Sequence, residues 1–167
     1  MDFKLRAWRE TDLDSLVKYA NNPNIAENLT NAFPHPYTEE NGQGFIKYAN
    51  SSEPLHIMAI EIDGEAVGGI GIHPQTDIMC KNAELGYWLA EPFWGKGIVS
   101  KAIAQMVDYG FSTFDIVRIY ARPFGSNLAS QKVLEKNGFV LEARIAQNIF
   151  KNGVFQDELI YAVRKQQ

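Results

Sequence analysis

The run Glu84 to Val99, ELGYWLAEPFWGKGIV, reads as a strand, a tight turn and the first turn of a helix. Glu84 to Ala90 alternates and is rich in Leu, Tyr and Trp, as strands are, and Pro92 marks where sheet pairing stops. Two glycines, Gly95 and Gly97, then flank Lys96, and from Ile98 the apolar positions Val99, Ala102, Ile103, Met106 and Val107 recur at helical spacing. Backbone N–H groups at a glycine turn, aimed along the positive end of a helix dipole, form an anion site that suits a pyrophosphate. The turn is not a Walker loop, which needs four residues between its glycines and then Lys-Ser/Thr. Gly68-Gly69-Ile70-Gly71 is not a dinucleotide fingerprint either, because Ile72-His73-Pro74 follows with no third glycine and no helix. It reads as a buried strand.

Working outward, Phe3 to Trp8 alternates as an edge strand does, and Thr11 with Asp14 opens a helix that Asn21-Asn22-Pro23 ends. Ile25 to Leu29 is a short helical candidate, Phe33 to Tyr37 a proline-stiffened connector, and Thr38 starts a helix towards Tyr48. Leu55 to Ile62 and Ala66 to Ile72 form a hairpin across Asp63-Gly64. His73 to Lys81 is a polar loop. After the central helix come a strand at Val117 to Ala121, a helix capped by Ser126 or Asn127 and ended at Asn137-Gly138, and a last hairpin, Phe139 to Phe150 and Val154 to Val163, across Asn152-Gly153. The pattern predicts one α/β (α+β) domain over residues 1–167, a mixed, mostly antiparallel sheet of about seven strands flanked by about four helices.

A second stretch, Asn127-Leu128-Ala129-Ser130 followed by Glu135-Lys136-Asn137-Gly138-Phe139, joins the strand-W-G-K-G-helix run. Together they resemble the acyl-CoA pyrophosphate loop and the second cofactor-contacting helix of the GNAT superfamily of N-acyltransferases. Within it the resemblance is nearest to the branch of the ribosomal-protein alanine N-acetyltransferases, through Ala83 to Trp88, Trp94 to Gly97, the N-x-x-S helix, and Asn152-Gly153 with Asp157. It covers nearly the whole chain and is weak before Leu55. Pro92 stands where many members carry Gln or Arg, and Leu134 where others carry a catalytic Tyr.

The resemblance implies acetyl-CoA as co-substrate, no metal, and direct attack of an amine on the thioester in a ternary complex. Backbone N–H groups of Trp94, Gly95, Lys96, Gly97, Ile98 and Val99 are expected to hold the pyrophosphate. A main-chain N–H near Trp88 or Leu89 is expected to polarise the thioester carbonyl. Asn127 either binds the pantetheine arm or only caps its helix. Ser130 either protonates the departing thiolate or packs. Glu84 is either a general base or a satisfied strand carboxylate, with an ordered water as the other proton acceptor. Trp88 and Trp94 are walls, or cover the cofactor. His35, His56 and His73 show no metal-ligand spacing.

The remaining bounds are broad. With 167 residues, 46% of them hydrophobic, the chain has ample core for one domain, and its single Cys80 permits no intramolecular disulfide, which suggests a reducing compartment. MDFKLRAWRE lacks the apolar region of a leader, so the expected address is cytoplasmic, as a monomer or homodimer. A net charge of −4 without a Lys/Arg block argues against nucleic acid and mildly favours a cationic substrate. An α-amine with pKa of about 7.8 is roughly one-seventh neutral at pH 7, whereas an amine near 10.4 is neutral in well under one in a thousand copies. The absence of an obvious strong base therefore favours a protein N-terminus as acceptor. A polyamine or aminoglycoside-like amine is the alternative, and a non-catalytic acyl-CoA-binding module is the reading from another class.

Overall fold

The structure is a computed structural model that describes all residues, Met1–Gln167. Two-residue turns with left-handed backbone set both hairpins. Asp63 (φ 50°) and Gly64 (φ 88°) join β2 (Ile57–Ile62) to β3 (Glu65–Pro74), and Asn152 (φ 52°) and Gly153 (φ 77°) join β6 (Val140–Lys151) to β7 (Val154–Arg164). With β1 (Lys4–Arg6), β4 (Asn82–Leu89) and β5 (Arg118–Ala121), the strands order as β1-β2-β3-β4-β5-β7-β6. The β4–β5 pair is parallel, and β1–β2, β2–β3, β5–β7 and β6–β7 are antiparallel.

Five α-helices accompany the sheet: α1 (Leu13–Ala20), α2 (Pro23–Ala26), α3 (Glu39–Ala49), α4 (Ile98–Thr113) and α5 (Leu128–Lys136). The extra one relative to the expected four is α2, a single turn started by Asn22, whose side chain accepts from the Asn24 N–H, and by Pro23 at its first position. α1 starts later than Thr11. A 3₁₀ turn, Glu10–Asp12, comes first: the Asp12 carboxylate accepts the Arg9 N–H at 2.8 Å and two bonds from Arg6, and Asp12 stands at the N-cap of α1 without a side-chain cap bond. β1 is shorter than its alternation suggested, and β3 runs on to Pro74.

The chain's contacts fall into two units. The first holds Met1–Gly71 and Tyr87–Ala102. Its core gathers Trp8, Leu16, Ile25, Tyr37, Ile46 and Trp88, with Phe33 and Phe45 packed against it. The glycine run of β3 is explained here. A Cβ on Gly68 would stand 2.6 Å from the Trp88 carbonyl oxygen, and one on Gly69 2.8 Å from the Trp88 indole nitrogen. Those glycines let the last residues of β4 and two tryptophan rings lie against β3.

The second unit holds Ile72–Gly86 and Ile103–Gln167. Ile103, Met106, Ile119, Leu134 and Leu159 are fully buried in it. Gly110 of α4 lies against Ile72 and Ile119, where a Cβ would come within 2.6 Å of the Ile72 side chain.

Candidate active site

In the first unit the end of β4, a short turn and the start of α4 form one continuous device. The Ala90 N–H donates to the Val67 carbonyl at 2.8 Å, so the strand's alternation directs the Leu89 N–H to the opposite edge. On that edge the β4–β5 register covers only Asn82 to Glu84, well before Leu89. Of the two candidates for the thioester carbonyl, the geometry thus favours the Leu89 N–H over that of Trp88. The Leu89 carbonyl accepts the Trp94 indole N–H at 2.7 Å.

Glu91–Phe93 is one 3₁₀ turn, in which Phe93 N–H donates to Ala90 O at 3.0 Å and Trp94 N–H to Glu91 O at 3.1 Å. The Trp94 amide, expected as a pyrophosphate donor, already donates within this turn. Gly95 (φ 72°) and Gly97 (φ 74°) both need left-handed backbone, and nothing lies within 4 Å of a Cβ built on either. The Lys101 N–H closes the first α4 turn on Gly97 O at 3.3 Å, so the N–H groups of Ile98 and Val99 are unsatisfied helix-start donors. Ile98 is buried and anchors the turn, while Lys96 is exposed with its ammonium 5.4 Å from the Phe93 ring. Trp88 is a core residue, 5.7 Å from the Phe33 ring centroid, whereas Trp94 is 44% exposed.

The second unit holds the other expected residues. Asn127 is the cap of α5: its side-chain oxygen accepts the Ser130 N–H at 3.2 Å, which leaves its amide NH₂ as a donor. Ser130 is half-buried, and Leu134, one turn further, is fully buried. Glu84 is not a lone carboxylate. Its two oxygens accept from Arg122, at 2.9 Å from Nε and 3.3 Å from Nη2. Arg122 also reaches Glu158 at 3.4 Å, and Glu158, buried, accepts from Asn148 at 2.5 Å. The Tyr120 hydroxyl is pushed up, first by burial and then by the Glu84 charge. Asp157 accepts the Gln147 N–H at 3.0 Å and the Arg144 guanidinium at 2.7 Å, holding the irregular stretch of β6 where Gln147 has φ 51°.

Sequence reasoning missed Arg122 and Glu158, and also the partners of Glu91. Arg122 lies two residues beyond Tyr120, which pairs with Glu84. Only a parallel β4–β5 register known in advance would have shown it. No group of three or more His, Cys, Asp or Glu comes together in a metal-holding arrangement, and no helix is long and apolar enough to cross a membrane.

The strand, glycine turn and helix belong to a mixed α/β fold, and comparison with known proteins identifies the family. The chain belongs to the acetyltransferase (GNAT) domain family, whose model matches residues 2–140. It is 31% identical to the ribosomal-protein-serine acetyltransferase of Escherichia coli (strain K12) over 60% of this chain and 55% of that protein. It is 24% identical to the spermidine N(1)-acetyltransferase of Vibrio cholerae serotype O1 over 92% of this chain and 87% of that protein. Against curated relatives matched at 31–36% identity, the chain spans 55–57% of the relative's length. Among solved structures, the microcin C7 self-immunity acetyltransferase MccE in complex with acetyl-CoA and AMP superposes with a TM-score of 0.83 at 25% identity, covering 98% of this chain and 93% of that one.

Proposed function

We propose that this protein is an acetyl-CoA-dependent N-acetyltransferase that acts on a primary amine, the α-amino group of a protein such as a ribosomal protein. The observation that carries the reading is the turn from β4 to α4. Gly95 and Gly97 hold left-handed backbone over open space, and the N–H groups of Gly95 to Val99 lie at the positive end of a 16-residue helix. A pyrophosphate fits those donors. The amide NH₂ of Asn127 fits a carbonyl of the pantetheine arm.

In the reaction the amine nitrogen bonds to the acetyl carbon and the C–S bond breaks. Leu89 N–H takes the negative charge that develops on the carbonyl oxygen. Ser130 passes a proton to the thiolate and regains one from the solvent that takes the amine's proton. The amine's own proton passes to water beside Glu84, because both oxygens of that carboxylate already accept from Arg122. A site without a strongly basic acceptor favours an amine that is already partly neutral at pH 7, which an α-amine is and a polyamine is not. The polyamine alternative rests on the similarity to spermidine N(1)-acetyltransferase.

Release of CoA across a panel of N-terminal peptides, polyamines and amino antibiotics tests the reading, with the acetylated atom located by mass spectrometry. Peptides with a free α-amine are expected to be the best acceptors and α-blocked peptides inert. Acetylation of a polyamine or a lysine ε-amine instead overturns the acceptor assignment, and no CoA release with any amine leaves only an acyl-CoA-binding module.

A further inference from the structure

A carboxylate at the head of an anion loop is out of place electrostatically, and this chain has one: Glu91 directly precedes Pro92 and stands three residues before Trp94. The structure shows where its charge goes. Asn22 Nδ2 donates to Oε2 at 2.7 Å, and Asn24 Nδ2 reaches Oε2 at 3.1 Å and Oε1 at 3.3 Å. Both carboxylate oxygens thus lie against the start of α2. Asn22 is itself fixed, because its side-chain oxygen caps α2 through the Asn24 N–H at 2.9 Å. The same segment grips the turn a second time, through an edge-on contact of Tyr19 with Phe93 at 6.1 Å between centroids.

We propose that Asn22 and Asn24 are positioning residues for the pyrophosphate loop, drawing the Glu91 carboxylate onto α2 so that an acid at the loop's head does not repel the cofactor's phosphates. This rests on the acetyl-CoA reading of that loop. The amide donors, Asn22 first and then Asn24, also hold the Glu91 carboxyl below its ordinary range, so the group is fully charged at neutral pH and its placement matters. Pro92 fixes φ of the residue that follows Glu91.

The test is an epistasis series read by calorimetry of acetyl-CoA binding. Asn22→Ser with Asn24→Ala keeps an oxygen that can cap α2 and removes both amide donors. Its acetyl-CoA Kd is expected to rise by roughly 3- to 10-fold in low salt and to converge towards wild type at high salt, as an exposed charge effect must. Adding Glu91→Gln is expected to restore the affinity, which a purely structural role of the two asparagines does not predict. Wild-type affinity in the double variant, or failure of Glu91→Gln to restore it, overturns the proposal. Glu91→Gln alone, which does not depend on the double variant folding, is expected to bind at least as tightly as wild type; weaker binding also overturns it. If the wild-type protein itself fails to bind acetyl-CoA, the loop reading falls instead.

Discussion

Gly68 and Trp88 are in such close contact that a Cβ on Gly68 would lie 2.6 Å from the Trp88 carbonyl oxygen and 3.2 Å from the Leu89 Cα. Both atoms are backbone, so an added methyl moves β4 rather than a side chain, at the residue whose N–H is assigned to the thioester carbonyl. Gly68→Ala is expected to lower kcat by about 10-fold or more, in the range for a displaced oxyanion donor, with acetyl-CoA Kd little changed. Gly69→Ala is the control. Its Cβ meets the Trp88 and Trp8 rings, at 2.8 and 3.4 Å, so it should lower Tm with a smaller loss of kcat. Equal kcat losses in the two variants at matched stability would remove Gly68 from the positioning of Leu89.

Gly97→Val is expected to abolish acetyl-CoA binding in a folded protein. The backbone at φ 74° disfavours any side chain by about 1–2 kcal/mol, more for a β-branched one. The larger effect is occlusion, because the proposed pyrophosphate site lies over the open space at Gly97. Gly97→Ala separates the two, since it carries the strain with little bulk. Calorimetry that finds unchanged affinity for the Val variant takes the loop out of the cofactor site.

What the sequence carried and what it did not divide along physical lines. The β4-turn-α4 run, both hairpins and the end of α5 at Gly138 were readable because glycine, proline and Asn-Gly restrict backbone locally, and locality is what a sequence shows. Arg122 with Glu84, and Asn22 with Glu91, are separated by 38 and 69 positions and depend on strand register and on the path of a connector. The engagement of the Trp94 amide was hidden for a third reason: Pro92 marks the end of the strand and also sits inside a 3₁₀ turn that uses that amide. Thr11 falls inside a 3₁₀ turn, Glu10–Asp12, held by the Asp12 carboxylate through Arg6 of β1 and the Arg9 N–H, so α1 starts after it.

A pH prediction follows from Glu61, buried on β2. Lys4 bonds it at 2.9 Å and Arg6 bonds it as well, and these two, Lys4 first, hold its carboxyl down to about 2. A carboxyl whose folded value is depressed binds its proton more readily in the unfolded chain. Its contribution to stability is therefore complete above the ordinary Glu value of about 4.3 and is lost as pH falls from there through about 2. Glu61→Gln is expected to lower Tm at pH 7 and to flatten the fall in Tm between about pH 4.5 and 2. Parallel Tm-against-pH curves for the two proteins would show that the pair is not linked to folding.

Ser130 is the proposed acid because the chain offers no hydroxyl at position 134. Leu134 is fully buried and cannot donate a proton, and Ser130 stands one turn before it on the same face of α5. The thiol of CoA, with a pKa of about 8.5 by analogy with cysteine, is protonated at neutral pH and is better expelled with a donor. Ser130→Ala keeps the bond that caps α5, which runs from the Ser130 backbone N–H to Asn127. The variant is expected to lose about 10²-fold in kcat with little change in KM for acetyl-CoA. Its rate should also recover towards high pH, where the thiolate leaves without help. A near-normal kcat across the pH range, with chemistry shown to be rate-limiting, would make Ser130 a packing residue and give the proton to water.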